Sequence, residues 1–122
     1  MCTLFSEHGF WAHNMAQNHA GQPADIIVCK DNFPIIIDCK VCENDTFPIS
    51  RIEPNQESAM SLWGMCGNSK AYFALKLSDG IIYMADFSVL MLLSKTKKSL
   101  NKSEIELFFP IFNEWMEGEE WK

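Results

Sequence analysis

The chain reads as an α/β sandwich, a central mixed sheet flanked by helices, and three observations predict it. Short β-branched runs bounded by turn residues alternate with helical patterns in the order α-β-β-β-α-β-β, the order of a layered sheet rather than of a helical bundle. The 122 residues are 48% hydrophobic, enough for one well-formed core and therefore one domain. No apolar run is long enough to span a bilayer and no signal peptide is visible, so the expected compartment is the cytoplasm. The five cysteines (Cys2, Cys29, Cys39, Cys42 and Cys66) lack the spacing of a disulfide framework. They fit a reducing compartment as small, mostly buried side chains.

Taken in order, residues 2–7 suit a helix that stops before Gly9, a residue able to take the left-handed backbone of a helix end. Residues 10–15 alternate large apolar with small or polar side chains and predict a strand. Residues 17–22 are a polar loop leading into Pro23-Ala24-Asp25. Residues 26–30 and 34–41 are two β runs about a turn at Asp31-Asn32-Phe33, hence a hairpin. A second polar loop covers residues 43–46. Residues 50–66 give the clearest helix. Ser50 and Glu53 have capping-box spacing, and Pro54 is an alternative first helical position. Ala59, Leu62, Trp63 and Cys66 recur along it at helical intervals, and Gly64 and Gly67 weaken its end. Residues 71–77 and 81–85 predict a second hairpin about Ser78-Asp79-Gly80. A short helix is expected at 87–93 and a lysine-rich linker at 94–103. Ile105, Phe108, Phe109, Phe112, Trp115 and Met116 form an apolar helical stripe broken at Pro110. The expected division is a core over 1–94 and, in the same domain, an extension over 95–122.

The chemistry concentrates on the first hairpin. Side chains alternate along a strand, so Asp38 and Lys40 share a face and Cys39 points to the other. Ile35, Ile36 and Ile37 just before Asp38 mark a buried central strand. An acid and a lysine there are costly unless paired or bound to something. Asp25, opening the partner strand, supplies a second carboxylate. Two converging carboxylates are hard oxygen ligands suited to Mg²⁺. A lysine beside them can polarise a water or stabilise charge on a phosphoryl oxygen. Each residue alone has an ordinary reading: Asp25 as a turn residue, Asp38 and Lys40 as a solvated edge-strand face, Gln56 as an exposed first-turn glutamine.

Asp25, twelve residues, then Asp38-Cys39-Lys40, followed by Phe47-Pro48-Ile49-Ser50 and by Asn55-Gln56 opening the next helix, resembles the PD-(D/E)xK nuclease superfamily. Within it the likeness is to the RecU-type and archaeal-type Holliday junction resolvases and their phage relatives, over residues 10–87. The resemblance implies a restriction-endonuclease-like sandwich and Mg²⁺- or Mn²⁺-dependent hydrolysis of phosphodiesters in branched DNA by a homodimer. It implies that Asp25 and Asp38 bind the metal, with the Cys39 carbonyl as third ligand. Lys40 would position or polarise the attacking water, and Gln56 would face the site. Gln17, Asn18, His19 and Gln22 become candidates for contact with the DNA backbone. The chain departs from the family pattern in one respect. Many members carry a glutamate roughly three turns before the glycine matching Gly9, a count that here passes Met1, and Glu7 lies too close to Gly9 to replace it.

The net charge of −6 runs against a simple nucleic-acid binder, which is usually basic. The charge is uneven: residues 104–122 hold six glutamates and one lysine, a net of −5, which leaves −1 for the rest. Lys95, Lys97, Lys98 and Lys102 cluster beside that acidic tail. A second function class fits this balance: a non-enzymatic interaction protein on the nuclease fold, such as a phage-encoded inhibitor of a host nucleic-acid-targeting system. In either class the aromatic C-terminal segment is a candidate surface for a second copy or another protein. Cys39 and Cys42 have CxxC spacing, but no second pair completes a zinc ribbon, and a strand is the wrong setting for a redox pair. His8, His13 and His19 have no partners for a catalytic triad.

Overall fold

A computed structural model describes residues 1–15, 24–67, 70–119 and 121–122. The predicted polar loop lies outside the described residues, and with it Gln17, Asn18, His19, Gln22 and Pro23. No described helix is long and apolar enough to cross a membrane.

The element order bears out the α/β reading. Helix α1 (Cys2–Glu7) stops at Gly9, whose φ of +85° a side chain would resist. Five strands follow in one mixed sheet: β1 (Trp11–Asn14), β2 (Ile26–Lys30), β3 (Phe33–Val41), β5 (Lys70–Lys76) and β6 (Ile82–Asp86), in that spatial order. The β2–β3 hairpin turns on Asp31 and Asn32, both left-handed at φ 52° and 68°, as a two-residue turn between twisted strands requires. Strand β3 is central, antiparallel to β2 and parallel to β5. A parallel neighbour needs a crossover, and α2 (Pro54–Met65) lies in it.

Alternation along β3 sorts the core into two layers. Ile36 packs with Met60 of α2, Leu90 of α3 (Phe87–Leu93) and Ile105 of α4 (Lys102–Phe108). Ile35 and Ile37 pack on the other face with Phe5 of α1 and with Phe112 and Trp115 of α5 (Phe112–Glu117). Asp38 and Lys40 share the Ile36 face and so sit beneath α2.

Four details depart from the first expectation. The long helix begins at the alternative position, Pro54, rather than at residue 50, and Ser50 lies in a 3₁₀ turn over Ile49–Arg51. The capping box joins Glu53 to Gln56 rather than Ser50 to Glu53. The buried side of α2 is Gln56, Met60 and half-buried Trp63, spaced i, i+4, i+7, while Leu62 and Cys66 are exposed. The lysine-rich stretch contains a strand, β7 (Ser99–Leu100), antiparallel to β4 (Phe47–Pro48). Leu100 is fully buried, a single apolar residue that a polar run conceals from pattern reading.

The aromatic C-terminal stripe is largely consumed within the chain. Pro110 ends α4, its carbonyl accepts from Met84 N at 2.9 Å, and Ile111 bridges to Tyr83 along the β6 edge. The break lets the segment wrap that edge. Ile105 and Phe109 enter one layer, and Phe112 and Trp115 enter the other. Leu107 and part of Phe108 stay exposed, and Ile111 and Met116 are half-buried.

Candidate active site

The β2–β3 ladder ends where its chemistry begins. Asp25 N donates to Ile37 O at 3.0 Å, and its carbonyl accepts from Met15 N at 2.8 Å. Its side chain then takes the next rung: Oδ2 accepts from Cys39 N at 2.8 Å. This holds the Asp25 carboxylate against the residue between Asp38 and Lys40. A residue in a strand sends its N–H and C=O to the same edge. The Cys39 carbonyl therefore leaves β3 on the Asp25 side, where β2 has ended.

Asp38 is only 2% exposed. Its Oδ2 lies 3.0 Å from Lys40 Nζ, which also donates to Gln56 Oε1 at 3.3 Å. Gln56 Oε1 accepts from Glu53 N at 3.2 Å as well, so the capping box of α2 aims this glutamine at the site. Burial pushes the Asp38 carboxyl above its ordinary value. The Lys40 hydrogen bond and charge pull it back, the Asp25 charge raises it again, and a Gln56 hydrogen bond lowers it. Lys40 also packs 5.9 Å above the Phe73 ring, which fixes its stem. The structure thus brings Asp25, Asp38, Lys40 and Gln56 together, with the Cys39 backbone between them.

The Cys39 thiol faces the other layer and is pushed up to about 12, first by burial and then by Asp25 and Asp38. It stays protonated, so only its backbone has a chemical part here. All five cysteines are free thiols, and burial likewise raises Cys42. Glu7 is exposed on α1, whose Phe5 packs on the face opposite Asp38. Among the described residues, no three His, Cys, Asp or Glu side chains gather as a metal site. A cation here would rest on two carboxylates and backbone or solvent oxygen, a hard donor set suited to Mg²⁺ or Mn²⁺ and unsuited to zinc. A surface cleft opens just past Lys40, lined by Val41, Glu43, Asn44, Thr46, Pro48 and Arg51. Arg51 Nη1 donates to the Val41 carbonyl at 2.6 Å and closes one side of it.

Two signals for this geometry are faint in sequence. The Asp25 side chain standing in for a backbone rung depends on β2 beginning one residue after it. Gln56 facing inward depends on the helix starting at Pro54.

No protein-family model matches the sequence, and no curated protein matches it. The fold itself defines the class: a restriction-endonuclease-like sandwich with a mixed five-stranded sheet. Among the 24 solved chains that match it is Hjc, a Holliday junction resolvase of the archaeal hyperthermophile Archaeoglobus fulgidus. The TM-score is 0.72 over 94% of this chain and 93% of that one, at 18% sequence identity.

Proposed function

We propose that this chain is a divalent-metal-dependent DNA endonuclease of the junction-resolving kind. The observation that carries the reading is the convergence of Asp25, Asp38, Lys40 and Gln56 at one end of the central hairpin, on a fold similar to that of a junction resolvase. Asp25, Asp38 and the Cys39 carbonyl would hold Mg²⁺ or Mn²⁺. Bound there, such an ion polarises a phosphoryl oxygen and makes water a better nucleophile. Asp38 supplies a buried negative charge that a cation neutralises. Lys40 orients the attacking water or meets charge growing on the phosphoryl oxygens. Gln56 keeps the Lys40 ammonium from swinging away and holds its acceptor side toward it. Symmetric cutting of a four-way junction requires two copies, so the working form is a homodimer on branched DNA.

Calorimetric titration with Mn²⁺ tests the site. The wild type binds, and Asp38→Asn loses the binding while keeping its fold. An unchanged affinity in Asp38→Asn would reduce Asp38 to a structural acid. The second reading, an interaction protein on a nuclease scaffold, is favoured by the charge of −6 and by Glu7 standing on the far layer. It gains if the wild type takes up no Mn²⁺.

A further inference from the structure

We infer that Trp11 and His13 form a stacking platform for an unstacked nucleobase of the DNA, on the same sheet face as Asp25, Asp38 and Lys40. The inference rests on the nuclease reading and adds to it the feature that selects branched over plain duplex DNA.

Strand register places the platform. Trp11 lies opposite Cys29 and His13 opposite Ile27, and directly opposed residues project to one face. Ile27 packs on the Ile36 layer, whereas Ala12, between the two rings, packs on the other. Trp11 and His13 therefore share the face that carries Asp38 and Lys40. Their rings are stacked, with centroids 5.9 Å apart and planes 12° apart. Trp11 is 62% exposed, on the edge strand of the sheet. Edge strands are usually defended by charge or proline. This one instead presents two rings already stacked on each other, which lowers the ordering cost of binding.

Register also gives the reach. His13 aligns through Ile27 with Ile36, and Trp11 aligns through Cys29 with Pro34. At roughly 4.8 Å between strands and 3.3 Å per residue, His13 lies about 12 Å from Asp38 and Trp11 about 16 Å. One strand of a duplex advances about 3.4 Å per nucleotide, so the platform meets a base some four nucleotides from the bond at Asp38, fewer if the strand is extended. In a duplex the faces of the bases are covered by their neighbours, and a flat ring finds no open face to stack on. At a branch point or a single-stranded end the face is open, and base–aromatic stacking is tolerant of sequence.

The test uses anisotropy of labelled DNA in Ca²⁺, an oxygen-seeking ion with looser geometry than Mg²⁺. The DNAs are a four-way junction, a single strand and a blunt duplex of matched length. Trp11→Ala should weaken junction and single-strand binding by about 5- to 150-fold and leave duplex binding unchanged. Trp11→Phe should keep most of the affinity, and Trp11→Leu, apolar without a π face, should behave like Trp11→Ala. Equal affinities of Trp11→Ala and wild type on all three DNAs would overturn the platform and leave the nuclease reading standing. So would an equal loss on all three. So would a change in solution mass without a change in DNA preference, which would make this edge a subunit contact. A wild type that binds none of the three overturns the nuclease reading and the platform with it.

Discussion

At Asp38, burial lifts the carboxyl pKa while Lys40, 3.0 Å away, pulls it down. The net direction is upward, so the folded chain keeps this proton at pH values where the unfolded chain, titrating near 4, has already lost it. The contribution of Asp38 to stability is therefore most favourable below about pH 4 and is lost as pH rises through the raised folded value. Asp38→Asn removes that loss. The variant should melt above the metal-free wild type at pH 7, and the gap should close as pH falls toward 4; thermal melts across pH 4–8 in a chelating buffer measure it. A variant less stable at pH 7 would show that the Lys40 pair outweighs burial. Asp38 and Lys40 were legible from period-two alternation after three isoleucines. Gln56 was legible only through family resemblance, because its direction depends on which residue caps α2.

The β2–β3 hairpin is the element on which the site depends, since its turn sets the register that brings Asp25 opposite the Asp38 end of β3. Asn32 sits at φ 68°, a conformation costing about 1–2 kcal/mol for most L-residues and least for Gly or Asn. Asn32→Gly should leave the urea midpoint unchanged or higher, and Asn32→Val should cost about 1–2 kcal/mol. An Asn32→Val protein as stable as wild type would mean that another turn closes the hairpin. Both hairpins were readable because β-branched or aromatic runs are separated by clear turn formers, Asp31-Asn32 and Ser78-Asp79-Gly80. The packing side of α2 was not. Its exposed Leu62 and Cys66 mimic a core stripe, while a buried glutamine and Met60 face the sheet. Strand β7 was hidden for a related reason: two residues cannot show a period.

At the scale of the molecule, residues 104–122 combine a net charge of −5 with a wrap that fills both layers of the core. Ile105, Phe109, Phe112, Trp115 and Trp121 are all buried. At roughly 1.5–3 kcal/mol per large buried side chain, their sum rivals the whole net stability of a domain, about 5–15 kcal/mol. Deleting 104–122 should therefore abolish cooperative unfolding in circular dichroism rather than merely change the oligomeric state. A soluble truncation with an unchanged melt would make the wrap dispensable. Glu106, Glu114, Glu117 and Glu119 of this segment are exposed, and under the proposed nuclease function their charge would oppose the approach of DNA on their side of the molecule. Cleavage of a four-way junction against linear duplex in Mg²⁺ or Mn²⁺, with Asp38→Asn alongside, tests the proposed nuclease function most directly. Metal-dependent, paired incisions in the junction, little cutting of the duplex, and none of either by Asp38→Asn are expected. No incision by the wild type in either metal, or incision that survives Asp38→Asn, would contradict that function.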